Sequence, residues 1–143
     1  MTLRRTPIRA RRATPRRSPG RDDHGHTVET GRAETFARAL GRCELRGPGC
    51  TVTATDWHHR QTRRYGPDCP CNTVALCSHC HHVNVHGRPE WARETGWIVS
   101  RHSANPGAVP LVLGGSGPAR GPVLLPCVGG YATVDGTPLW LGG

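Results

Sequence analysis

The chain contains no lysine, one methionine, one phenylalanine and two tyrosines, and aromatic residues fill only 5% of its 143 positions. Hydrophobic residues of all kinds reach 35%, while 19 glycines and 13 prolines break up what apolar pattern there is. So little apolar material limits the chain to one modest domain whose core needs a staple. No apolar run approaches the roughly 20 residues that span a bilayer, which argues against a membrane protein. No apolar signal segment opens the sequence, and the cysteine count of seven is odd. Both features disfavour a secreted disulfide framework and point to a reducing cytoplasm. There is no internal repeat.

With lysine absent, all 19 basic residues are arginine. Together with the abundance of Gly, Pro and Ala, this reads first as the imprint of a GC-rich genome. The formal charge is nonetheless +9, and residues 1–21 hold eight arginines and no acid. The remaining 122 residues sum to +1, from 11 arginines against 10 acids. Dense like charge and prolines predict a disordered arm over residues 1–29, which neutralises phosphates and gives nucleic-acid affinity independent of base sequence.

Beyond the arm the pattern alternates short elements with Gly/Pro turns. Around TGRAETFARALGR a helix is expected, with Thr30 as its cap, Ala33, Phe36, Ala37 and Leu40 on one face, and Gly41 as its end. TVTATDWHH, residues 51–59, reads as a strand, residues 60–71 as a polar loop, and residues 73–76 as the returning strand. A helical pattern starts at Ser78 and runs to Gly87, and a second covers Pro89 to Thr95. Short strands are expected at 97–100, 110–113, 123–128 and 131–134. The expected division is an arm at 1–29, a main folded domain at 30–113, and a Gly-rich β-hairpin extension at 114–143.

Chemistry concentrates between Asp56 and His86, where six of the nine histidines fall. Cys77-x-x-Cys80 is a metal knuckle, and Cys43-x6-Cys50 is a wider one whose Gly47-Pro48-Gly49 centre can fold the extra residues outward. Two such pairs supply the four tetrahedral ligands of a structural Zn²⁺. Cys69, Cys71 and Cys127 have no matching partners and stay unassigned. His24, His26, His79 and His102 read as ordinary surface or supporting imidazoles.

The order His58-His59, Asn72, then Cys77-x-x-Cys80-His81 with a further histidine resembles the HNH endonuclease family. The likeness runs from Cys43 to about Leu113, and its tail, EWARETGWIVSRHSANPGAVPL, looks like that of small HNH proteins of actinobacteria and their phages. The resemblance implies an α+β fold, with a treble-clef-like ββα-metal core around a structural zinc. It implies that His59 is the general base and His58 a ligand of a catalytic divalent ion, Mg²⁺, Mn²⁺ or Ni²⁺. Adjacent strand residues face opposite ways, which suits this division. Asn72 matches the family's central Asn, which orients the base or binds the metal. For the helix ligands, His81 and His86 are one residue further apart than in relatives. His82 and His86 share a helical face at i, i+4, whereas a local π-bulge would let His81 keep the site. His81 and His86 are therefore expected, with His82 as the alternate. Arg60, Arg63 and Arg64 form a group placed to clamp phosphates.

The function implied is metal-dependent hydrolysis of DNA to 5′-phosphate and 3′-hydroxyl ends, by a homodimer or in company with a phage packaging partner. A rival of another class is a zinc-ribbon DNA-binding or phage assembly module that cuts nothing. His59 with Asn72 separates the two, because a mere binder needs neither.

Overall fold

The computed structural model describes residues 24–114, 121–128 and 130–139. Residues 1–23 of the expected arm lie outside them; residues 24–29 lie within them and do not belong to a disordered arm, because Thr27 caps a helix that begins at Val28. The fold is small and α+β, with three antiparallel strand pairs and short helices.

Helix α1, Val28–Arg38, starts in a capping box in which Thr27 accepts from the Thr30 backbone while the Thr30 hydroxyl accepts from that of Thr27. The cap is thus Thr27, and Thr30 is the third helical residue. The face expected to be apolar is not the one that docks: Leu40 is 78% exposed, and the buried positions are Gly31, Thr35, Arg38 and Ala39. The reason is polar. Arg38 forms a two-pronged pair with Glu44, Nε to Oε1 at 2.8 Å and Nη2 to Oε2 at 3.0 Å, and also donates to the carbonyls of Pro70 and Thr73. The Glu44 carboxylate further accepts from the Ala75 backbone and from the Tyr131 hydroxyl. A buried ion pair satisfied on every side tolerates desolvation, and removal of either partner would cost about 3–5 kcal/mol.

Strands β1, Asp56–His59, and β2, Thr73–Leu76, pair antiparallel with His58 opposite Val74 and His59 opposite Thr73. The expected strand from Thr51 is only this last part, because positive φ at Val52 and a turn precede it. α1 lies on β2, where the Thr35 and Thr73 hydroxyls bond at 2.6 Å. After β2 comes a π-helix, Cys80–Val85, then α2, Pro89–Glu94.

No strand forms at 97–100. That stretch runs back along β1, with Val99 N–H on the Arg60 carbonyl, and it buries Trp97 completely. β3, Leu111–Leu113, pairs with β4, Gly121–Val123, and β5, Tyr131–Ala132, with β6, Pro138–Leu139. These strands do not form a separate extension. Val123, Leu125 and Tyr131 share one core with Leu45, Val74, Leu76, Val85 and Trp97, so the expected boundary at 113/114 cuts through packed structure.

Candidate metal and catalytic centre

The four sulfurs of Cys43, Cys50, Cys77 and Cys80 gather within 4.8 Å of one another. A tetrahedral Zn²⁺ with Zn–S bonds near 2.3 Å needs S···S edges of about 3.8 Å, and Cys50 to Cys77 is 3.8 Å. Backbone N–H groups of Val52 and Cys80 and the Asn84 amide point at the sulfurs of Cys50, Cys77 and Cys80, as thiolates require. Burial opposes charge on Cys77, yet hydrogen bonds from the Cys80 backbone and from Thr51 outweigh it and bring the thiol down to about 6. Burial pushes Cys43 up instead. A cation resolves that conflict by stabilising all four thiolates, so the cluster is fit to hold a metal such as zinc.

A second group forms where β1 faces the π-helix. Ligand atoms of His58, His81 and His86 lie within 4.8 Å of one another. The π-turn makes this possible: the His86 N–H bonds the His81 carbonyl at 3.1 Å, an i to i+5 closure that stacks residues five apart. His81 Nε2 and His86 Nε2 are 3.1 Å apart. His82, the alternate, is turned out of this trio; its side chain is 64% exposed and its Nε2 lies 3.4 Å from Asp56 Oδ2.

Partners fix which ring nitrogens keep lone pairs. His58 Nε2 donates to the Trp97 carbonyl at 2.8 Å, so its lone pair is on Nδ1. His81 Nδ1 donates to Asp56 Oδ2 at 2.8 Å, which leaves Nε2 as its ligand atom. A carbonyl behind one histidine and a carboxylate behind another is the support that metal-binding imidazoles require. Burial, then the neighbouring His81 and His86, depress His58 to about 3, so it is neutral at pH 7, the form that ligates cations. Burial, then the neighbouring His81 and His82, lower His86. Asp56 sits low despite partial burial, held by hydrogen bonds from His81 and Thr55.

His59 points to the other side of β1, beside Trp57, with ring centroids 4.5 Å apart. Its Nε2 donates to Asp68 Oδ1 at 2.8 Å. Sequence reasoning does not single out Asp68; its only signal is a carboxylate in the loop between the histidine pair and Asn72. Asn72 itself touches neither the His59 ring nor the histidine trio among its hydrogen bonds. Its fully buried amide accepts from the Gln61 N–H and donates to the carbonyls of Gln61 and Pro67, closing the loop that carries Asp68. Asn72 is therefore a positioning residue.

The arginine group divides. Arg60 is 1% exposed, and its guanidinium donates to the carbonyls of Gly96, Cys71, Pro106 and Val109, which removes it from any phosphate clamp. The sequence pattern misplaces it because a basic run in a polar loop looks solvated. Arg63 is 60% exposed, lies over the Trp57 ring and stands 3.8 Å from Asp68. Arg64 is exposed beside Tyr65.

Among the described residues no helix is long and apolar enough to cross a membrane. Comparison with protein-family models, with curated proteins and with solved structures found no match.

Proposed function

We propose that this chain is a metal-dependent endonuclease of the HNH type, with a ββα core formed by β1, β2 and the π-helix, and that it hydrolyses DNA. One observation carries the reading: adjacent residues of β1 serve two different groupings, His58 joining His81 and His86 on one side while His59 is held by Asp68 on the other. A merely structural zinc module has no use for the second grouping.

His58, His81 and His86 are the residues that would hold the divalent ion, whose chemistry there is Lewis-acid charge for a phosphate oxygen and for the departing 3′ oxygen. The protein's own groups do the proton work. With Nε2 donating to Asp68, the His59 lone pair is on Nδ1, and that atom takes the proton from the attacking water. Asp68 keeps the ring in this tautomer and stabilises the imidazolium that forms. Arg63, which lies over Trp57 and 3.8 Å from Asp68, and the exposed Arg64 engage the flanking phosphates. Cleavage leaves 5′-phosphate and 3′-hydroxyl ends.

The test is incubation with supercoiled plasmid in Mg²⁺, Mn²⁺, Ni²⁺ or Zn²⁺, read as nicked and linear product. His59→Ala should lower the rate on the order of 10² to 10⁴-fold with DNA affinity near the parent's. If the parent cuts nothing with any of the four ions, the non-catalytic DNA-binding or assembly module replaces this reading.

A further inference from the structure

Three cysteines have no place in the zinc knuckle or in the proposed catalytic centre. Cys69 and Cys71, from the loop between β1 and β2, are buried, and Cys127 reaches them from the segment after β4. His24, just before α1, completes the group: its Nδ1 is 2.8 Å from Cys127 Sγ and 3.7 Å from Cys71 Sγ. The four ligand atoms all lie within 4.8 Å of one another. The Cys71 N–H points at Cys69 Sγ at 3.3 Å, as at the knuckle sulfurs. We propose that His24, Cys69, Cys71 and Cys127 form a second structural metal centre, a tetrahedral site in which three thiolates and one imidazole hold Zn²⁺.

Two further observations favour a metal over four packed side chains. The first is cysteine arithmetic. The seven cysteines form no disulfide among the described residues, and a four-cysteine set beside a set of three cysteines and a histidine uses every one, which a disulfide framework with an odd count cannot do. The second is Arg60. Among the described residues, the guanidinium of this buried cation has only carbonyl oxygens as hydrogen-bond partners, one of them that of Cys71. Three thiolates, a neutral imidazole and Zn²⁺ sum to one negative charge, which is the counter-ion that such a buried guanidinium requires. Soft sulfur donors in a tetrahedral group select zinc over the hard cations.

The placement gives the site a purpose. It ties residues separated by 103 and 47 positions and anchors the loop one residue beyond Asp68. The tight, Pro-centred Cys69-Pro70-Cys71 spacing fits because its partners come from remote segments, not from a matching knuckle.

The proposal is independent of the nuclease reading and is tested through sulfur. The full chain, loaded with Co²⁺ in place of zinc, has a sulfur-to-cobalt charge-transfer band whose intensity counts Co–S bonds; histidine-only sites do not contribute. The expected value corresponds to seven thiolate bonds per chain, falling in both Cys127→Ser and Cys69→Ser toward the four of the knuckle. His24→Ala should keep the sulfur band but move the ligand-field bands as a nitrogen donor is lost. A wild-type intensity of only four bonds, or an unchanged band in Cys127→Ser, overturns the second centre. Should Cys127→Ser fail to fold, the wild-type count still decides.

Discussion

At the scale of single residues, the Asp68 carboxylate is the most consequential neighbour of His59. Replacement by Asn removes its charge while nearly preserving its shape, so the ring loses its preference for the proton on Nε2. Asp68→Asn should lower cleavage between about 10- and 10⁴-fold, with KM little changed. A loss of DNA binding instead of turnover would show that Asp68 serves the substrate and not the base. The opposite facing of His58 and His59 is legible in the sequence because side chains alternate along a strand. The Asp68 contact is not, since a carboxylate nine residues along meets the ring only when Asn72 and Gln61 close the intervening loop. Arg60 escapes a sequence reading for the same reason: its carbonyl partners come from residues 71, 96, 106 and 109, which no local pattern brings together. Tyr131 supplies a prediction unrelated to metal. Burial and the Glu44 carboxylate raise its phenol above the ordinary 10.0, with Arg38 opposing. The folded state therefore retains a proton that the unfolded state releases, so this contribution is complete below pH 10 and is lost as pH rises beyond it. Tyr131→Phe should flatten the alkaline fall in denaturant midpoint. At pH 7 it should cost about 1.5 kcal/mol, low for a hydrogen bond to a charged group because Glu44 keeps Arg38.

Among the elements, α1 shows how one close approach can govern a site. A Cβ on Gly31 would stand 1.9 Å from the Asp68 carbonyl oxygen. Nothing but glycine lets the helix backbone pass so near the loop that steers His59. Gly31→Ala should destabilise by about 1–3 kcal/mol through overpacking, measured by chemical denaturation, and should lower turnover along with it because the displaced segment carries Asp68. Gly31→Ala with parent-like stability and turnover would show that the loop yields freely. The helix itself is legible from its composition, but its buried side is not. Apolar counting chooses Ala33, Phe36, Ala37 and Leu40, whereas docking follows the Arg38–Glu44 pair, a polar contact that hydrophobic periodicity does not register. The π-helix is the reverse case. The five-residue spacing of His81 and His86 is visible in the sequence, and an i to i+5 turn carries it without removing either ring from His58.

Across the whole molecule, the core and the charge are unevenly shared along the chain. The core recruits Val123 and Tyr131 from strands three and two residues long, and Leu125 from the link between them. Strands that short, parted by glycines, carry too little pattern to distinguish a core contribution from an appendage. The Cys43 cluster, which could hold a metal such as zinc, would then be the staple for a chain with so few apolar residues. Cys80→Ser should unfold the core, because structural zinc supplies about 10 kcal/mol or more of folding free energy in small modules. The charge lies elsewhere: residues 1–21 carry eight of the nine net positive charges. If those arginines meet phosphates, each one engaged releases counterions and steepens the fall of affinity with salt by nearly one unit of log slope. Deletion of residues 1–21 should therefore weaken binding to all DNA sequences alike and flatten the salt dependence by several units. Arg63→Ala with Arg64→Ala should change the slope by no more than about two. Fluorescence anisotropy between about 50 and 200 mM salt measures both. A slope unchanged by the truncation would assign DNA binding to the rest of the chain alone, and would leave Arg63 and Arg64 as the residues to examine first.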